Sequence, residues 1–174
     1  MRILPGAALA LLMSSLAAPL AAQDSPIQLS LFTPVQIVPK EKGVSAVRLN
    51  LIYSANTSVR YVDLGLVNVT TGGPSAGVQW ALVAINQGSF SGWQNSAVSI
   101  TEGRFEGFQS SWYNSAKSGA GFQLGVVNIA SDWDGLQLGL VNYTQRLHGL
   151  QIGLINIIKQ DGQFPVFPIV NWSF

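Results

Sequence analysis

The sequence predicts an all-β fold, an antiparallel up-and-down β-barrel of about ten strands, with a parallel β-solenoid of 14-residue repeats as the alternative. Three observations carry this. Residues alternate apolar and polar with period two through nearly the whole chain, the signature of strands with two unlike faces. Only 10% of the 174 residues are charged, with 18 Gly and 48% apolar residues, which excludes disorder and argues against an ordinary soluble enzyme. Runs of charges and turn formers divide the chain at regular intervals, as at Gly72-Gly73-Pro74 and Lys159-Gln160-Asp161-Gly162.

Taken in order, residues 1–22 read as a secretory signal peptide: Arg2 supplies the positive end, an apolar stretch runs to Leu16, and small residues end at Ala22. Pro5 and Pro19 bracket an apolar run too short for a membrane-spanning helix. Residues 23–174 form one all-β repeat domain. Candidate strands lie near 27–38, 44–54, 59–70, 76–86, 92–101, 104–114, 119–130, 135–144, 149–158 and 163–174. Within 44–54, Val47, Leu49, Leu51 and Tyr53 oppose Ala46, Arg48, Asn50 and Ile52. Within 149–158, Leu150, Ile152 and Leu154 oppose Gly149, Gln151, Gly153 and Ile155. Pro165 and Pro168 remove amide donors from both edges of the last run, so that strand is expected to be bulged.

A 14-residue repeat, clearest at 107–158, underlies the later strands: GFQLGVVNIA from Gly121, GLQLGLVNYT from Gly135 and GLQIGLINII from Gly149. Degraded copies precede it, with Ser96 and Ser111 in place of the second Gly. Ten residues of strand per unit, at roughly 3.3 Å each and tilted by about 45°, cover close to 23 Å, near the ~25 Å apolar band of an outer-membrane barrel. In that reading Leu and Phe meet lipid while Gly and Gln line the interior. The solenoid better explains why Gln123, Gln137 and Gln151, and Asn114, Asn128, Asn142 and Asn156, share one phase, since stacked turns would build ladders from them. Against it, a 14-residue turn encloses too small a core for three large aliphatic side chains.

The tandem G-x-Q-x-G-L-x-N units, preceded by Leu29-Ser30-Leu31-Phe32-Thr33-Pro34-Val35-Gln36 and closed by Phe164-Pro165-Val166-Phe167-Pro168 and Ile169-Val170-Asn171-Trp172-Ser173-Phe174, resemble a bacterial surface-repeat protein family. The resemblance covers essentially all of residues 23–174 and is most specific over 119–174. It implies an exported, envelope-associated or surface protein, and it implies no catalytic residue. Copies at 91–118 depart from the pattern, which leaves their register open.

Chemistry-bearing residues are sparse. The chain has 9 Lys+Arg against 8 Asp+Glu, no clustered basic stripe for nucleic acid, and no Cys for a disulfide, thiolate or Cys-based metal site. His148 is the sole histidine and reads as a turn residue. Asp132 and Asp134 lack the further ligands of a calcium loop and read as a solvated turn. Glu102, Arg104 and Glu106 share one face as rim charges. Arg48 and Asp63 have the polar parity of neighbouring strands, so a barrel would hold them as candidate lumen charges, plugging the interior or setting selectivity, with Arg60 at the rim. Phe174, a terminal aromatic after an alternating strand, resembles the assembly signal of outer-membrane barrels.

The expectation is therefore a non-enzymatic bacterial outer-membrane or cell-surface β-repeat protein, exported through a cleaved signal peptide, with a structural or surface-interaction role or a narrow pore. It needs no cofactor, and its partners are outer-membrane lipid, the outer-membrane assembly machinery and an unidentified surface ligand. A secreted β-solenoid binding module is the second reading. A membrane-embedded lipid hydrolase using His148 and a serine is the third, without a G-x-S-x-G elbow to select the serine.

Overall fold

The computed structural model describes residues 24–174, and the signal-peptide assignment over 1–22 lies outside them. The chain runs through β1 (Ser25–Phe32), β2 (Val35–Gln36), β3 (Val44–Asn50), β4 (Tyr53–Asn56) and β5 (Arg60–Thr70). It continues through β6 (Ser75–Asn86), β7 (Phe90–Leu124), β8 (Val127–Leu138), β9 (Val141–Gln160) and β10 (Val166–Ser173). From β3 to β9 every successive pairing is parallel and joins one turn of the chain to the next. Gln79 stands beside Gln94, Gln123 beside Gln137 and Gln137 beside Gln151. The fold is a parallel β-solenoid of about nine turns.

This corrects the barrel expectation. Neighbouring barrel strands must run antiparallel through hairpins, whereas here residues one repeat apart lie side by side and point the same way. The strand order runs from β10 to β2 with no closing pair. No transmembrane barrel strand exists among the described residues, and the lumen assigned to Arg48 and Asp63 does not exist either. The candidate strands 92–101 and 104–114 are one continuous element, β7, whose 35 residues wrap more than two turns. A 14-residue turn is large enough because the big aliphatic side chains stand outside it, not within it as the core-volume expectation required.

The alternation of each turn breaks where two consecutive residues point outward, and these breaks are its corners. In the turn from Gly149, Gln151 is buried, Leu154 and Ile155 are both exposed, Asn156 and Ile158 are buried, and Lys159 and Gln160 are both exposed. A third corner falls at the repeat's first glycine. Gly77, Gly92, Gly107, Gly121, Gly135 and Gly149 all have φ between 113° and 144°, where an L side chain is strained. A Cβ on Gly121 would also sit 2.1 Å from the Gly107 carbonyl oxygen, so this column closes by backbone contact alone. The coil is three-sided.

Both ends are closed by antiparallel strands, β2 on β1 and β10 on β9. The expected irregularity in the last strand is present, as a register shift between Phe167 and Ile169 across Pro168. A proline at this edge removes a donor that a further strand would need, which blunts end-to-end growth.

Candidate binding surface

The interior is mostly polar. Gln28, Arg48, Asp63, Gln79, Gln94, Gln109, Gln123, Gln137, Gln151 and Asn171 are all buried and occupy one column along the axis. Gln94 Nε2 donates to Gln79 Oε1 at 2.7 Å, Gln109 to Gln94 at 2.8 Å, Gln123 to Gln109 at 2.7 Å, Gln137 to Gln123 at 2.6 Å and Gln151 to Gln137 at 2.8 Å. The ladder ends on Asp63 Oδ2, which accepts from Gln79 Nε2 at 2.7 Å. A carboxylate only accepts, so Asp63 sets the direction of every amide above it. The cost falls at the far end, where Gln151 Oε1 has no partner.

A second ladder runs the other way. Asn114 Nδ2 donates to Asn128 Oδ1, Asn128 to Asn142 and Asn142 to Asn156, each at 2.8 Å. The second hydrogen of each amide goes to a backbone carbonyl at the neighbouring corner: Leu124, Leu138 and Ile152 at 2.9, 3.0 and 2.9 Å. Those fixed carbonyls orient the asparagines. Where the repeat is degraded, a hydroxyl cluster of Ser96, Ser99 and Ser111 replaces the amide, with Ser99 Oγ and Ser111 Oγ 2.6 Å apart. The third corner supplies the apolar core, in which Phe90, Phe105 and Trp133 stack at centroid distances of 5.9 and 6.1 Å. Gly119 makes room for Trp133, whose Cζ3 would lie 2.7 Å from a Cβ there.

The outside inverts the usual order. At the corner after the second repeat glycine, Leu51, Leu66, Leu82, Trp112, Val126, Leu140 and Leu154 form an axial ridge, exposed from 45% at Val126 to 74% at Trp112. One flank carries the residues on either side of the glutamine, such as Val78 and Trp80, Phe122 and Leu124, and Leu136 and Leu138. Trp80, Trp93, Phe108 and Phe122 run along it with successive centroids 5.9, 6.3 and 5.2 Å apart. The other flank carries pairs such as Val83 and Ile85, Val127 and Ile129, and Val141 and Tyr143. The third side and its polar corner hold the exposed charges.

The charged residues singled out in the sequence fall in two places. Arg48 and Asp63 are brought together in the core, with Nε to Oδ1 and Nη2 to Oδ2 both at 2.7 Å and Arg48 Nη1 donating to the Val69 carbonyl at 2.8 Å. The bidentate pair is a fixed element of the interior. Arg60, Glu102, Arg104, Glu106, Asp132, Asp134 and His148 lie on the charged side, and Asp132, Asp134 and His148, expected in turns, are strand residues of β8 and β9. Arg104 meets Glu106 at 2.7 Å, Arg146 meets Asp132 at 2.5 Å, and His148 Nδ1 lies 3.3 Å from Asp134. The hydrogen bond and charge of Asp132 raise the Arg146 pKa above its ordinary value. Such exposed pairs contribute little stability.

Phe174 is 85% exposed beside the His148 ring, at a centroid distance of 6.3 Å. The assembly-signal role expected of it rested on a closing barrel strand, which the fold lacks. The ridge was missed by the sequence reading, although its signal is present: two adjacent apolar residues after the second glycine, as in Gly139-Leu140-Val141 and Gly153-Leu154-Ile155, interrupt the alternation and mark an outward corner. Comparison with protein-family models, with curated proteins and with solved structures finds no match.

Proposed function

We propose that the protein is a non-enzymatic β-solenoid that works as a binding module, exported to the bacterial cell surface as the resemblance to surface-repeat proteins implies. Its apolar ridge and flanks are the contact surface, and its charged side stays in water. One observation carries this reading: the large apolar side chains of the repeat stand outside a core satisfied by amide ladders. A contiguous exposed apolar surface on this scale marks an interaction site. The ladders hold the coils in register and leave the outer columns free to serve the partner.

The test is attachment in cells. The protein should be accessible to protease on intact cells and stay with the envelope after a carbonate wash. Leu66→Glu with Leu140→Glu should release it into the medium without changing its far-ultraviolet circular dichroism. Recovery inside the cell, or retention unaffected by the ridge substitutions, refutes the proposal.

A further inference from the structure

We propose that the partner of the apolar surface is the lipid bilayer interface, in which the solenoid lies with its axis along the membrane plane, ridge inward and charged side outward. This rests on the binding-module reading above and names its partner.

The apolar surface has a shape that suits a fluid partner. Leu66, Leu82, Trp112, Leu140 and Leu154 lie on a convex corner between two apolar flanks. Nine turns at about 4.8 Å give an axis of roughly 40 Å, and a flank of four to five residues is about 15 Å wide, so each flank offers on the order of 600 Å². A second copy seated on one flank would bury less than the ~800 Å² per partner of a standard interface, and it would leave the other flank bare. A fluid apolar phase covers both flanks and the ridge between them at once.

The backbone along this surface is hydrogen-bonded within the stack. A protein in the interfacial region must not present unpaired amides to lipid. Here each coil bonds to the coils on either side, so open backbone edges are confined to the two ends of the stack, where β10 pairs along β9 and the two-residue β2 pairs with part of β1. Within the ladders the core amides satisfy one another along the axis, and the atoms left without partners, such as Gln151 Oε1 and Asn114 Oδ1, are already buried, so seating the outer surface in acyl chains adds little polar desolvation.

The charges lie away from the apolar surface. With Arg48 and Asp63 paired inside, residues 24–174 retain seven cationic and seven anionic side chains. These cluster at the turn of residues 39–43 and along the polar side, and the ridge and flanks carry none. The pattern is that of an interfacial amphipathic element, transposed from a helix to a three-sided coil. The balanced charge leaves no electrostatic preference for anionic lipid.

Flotation of the purified full-length chain with phosphatidylcholine vesicles, with and without one-fifth phosphatidylglycerol, tests this. Wild type should float equally with both. Leu66→Glu with Leu140→Glu should weaken partition by about 100-fold, roughly tenfold for each ridge leucine withdrawn from lipid and replaced by a charge. Gln87→Glu with Gln145→Glu adds the same charge on the polar side and should float like wild type. All three proteins share one N-terminus, so the contrast reports the ridge. As a second readout, vesicles should blue-shift the tryptophan emission, and part of the shift should disappear in Trp112→Phe, with Trp80 and Trp93 on the flank supplying the rest. Wild type that stays out of the lipid fraction, or ridge and polar-side variants that float alike, overturns the proposal. If wild type does not float but sediments as a dimer that the ridge substitutions dissociate, a second copy covers the ridge and the lipid assignment is wrong. If vesicles are not bound while the same substitutions still release the protein from cells, the lipid partner falls and the binding-module reading stands. Indifference in both assays removes both.

Discussion

Replacing Gln109 by Leu and by Glu tests whether the glutamine ladder holds the solenoid together. Gln109 donates to Gln94 Oε1 at 2.8 Å and accepts from Gln123 Nε2 at 2.7 Å, fully buried. Leucine is close in volume and removes both bonds, at about 1 kcal/mol each. It also strands the ladder donor of Gln123, at about 2 kcal/mol, and returns about 1 kcal/mol through apolar burial. The expected loss is about 3 kcal/mol in urea unfolding followed by circular dichroism.

Glutamate at the same place still accepts from Gln123, but when ionised it sets a carboxylate against Gln94 Oε1. Burial without a cation raises its folded pKa above the ordinary value of about 4.3. The folded state then binds a proton more tightly than the unfolded state does. Q109E is therefore most stable relative to wild type below about pH 4, where the acid donates to Gln94, and loses stability as pH rises through the folded pKa. A rise of two units gives about 3 kcal/mol between pH 4 and pH 8. A loss below about 0.5 kcal/mol for Q109L, or a Q109E deficit independent of pH, would refute the claim that a directed amide ladder stabilises the core.

Further outcomes follow from the backbone and the buried pair. Gly121→Ala should cost at least about 3 kcal/mol, because it combines a φ of 124° with a Cβ 2.1 Å from the Gly107 oxygen; Gly72→Ala, with nothing within 4 Å, should stay within about 0.5 kcal/mol, both read by thermal unfolding. Arg48→Met and Asp63→Leu should each cost about 3 to 5 kcal/mol by leaving one buried charge unpaired. The double variant should cost less than their sum by more than 1.5 kcal/mol, measured as a double-mutant cycle. Phe105→Ala, which removes the middle ring between Phe90 and Trp133, should cost about 3 to 5 kcal/mol and expose Trp133, seen as a red-shifted emission.

Much of the local structure was legible in the residues. Period-two alternation gave strands and the 14-residue spacing gave the repeat; the clusters at 39–43 and 72–74 mark turns, but those at 131–134 and 146–148 lie inside β8 and β9, because a coil corner bends the chain without leaving the ladder. The parity assignments hold along the first side of each turn, where Gln123, Gln137 and Gln151 point inward, Leu124, Leu138 and Ile152 outward, and Arg48 and Asp63 share the interior; they fail past the corner, where Ile52 and Ile155, assigned inward, are exposed. What alternation cannot state is the direction of the neighbouring strand. A repeat of polar-in, apolar-out strands satisfies an antiparallel barrel in lipid and a parallel coil equally at the level of one strand, because each residue sees the same two faces in either.

Only the tertiary structure decided between them, for two physical reasons. Like amides in adjacent coils meet at hydrogen-bonding distance in a parallel stack, so one Gln per turn becomes a continuous ladder; in an up-and-down sheet alternate copies would lie at opposite ends. The paired outward residues Leu140-Val141 and Leu154-Ile155 turn the chain by a corner in each repeat, which a straight barrel strand does not allow. The sequence by itself determined which side chains face in and which face out between corners, and the fold set the corners at which that parity reverses. Stacking decided that the inward ones satisfy each other, and so left the apolar ones to whatever the protein binds.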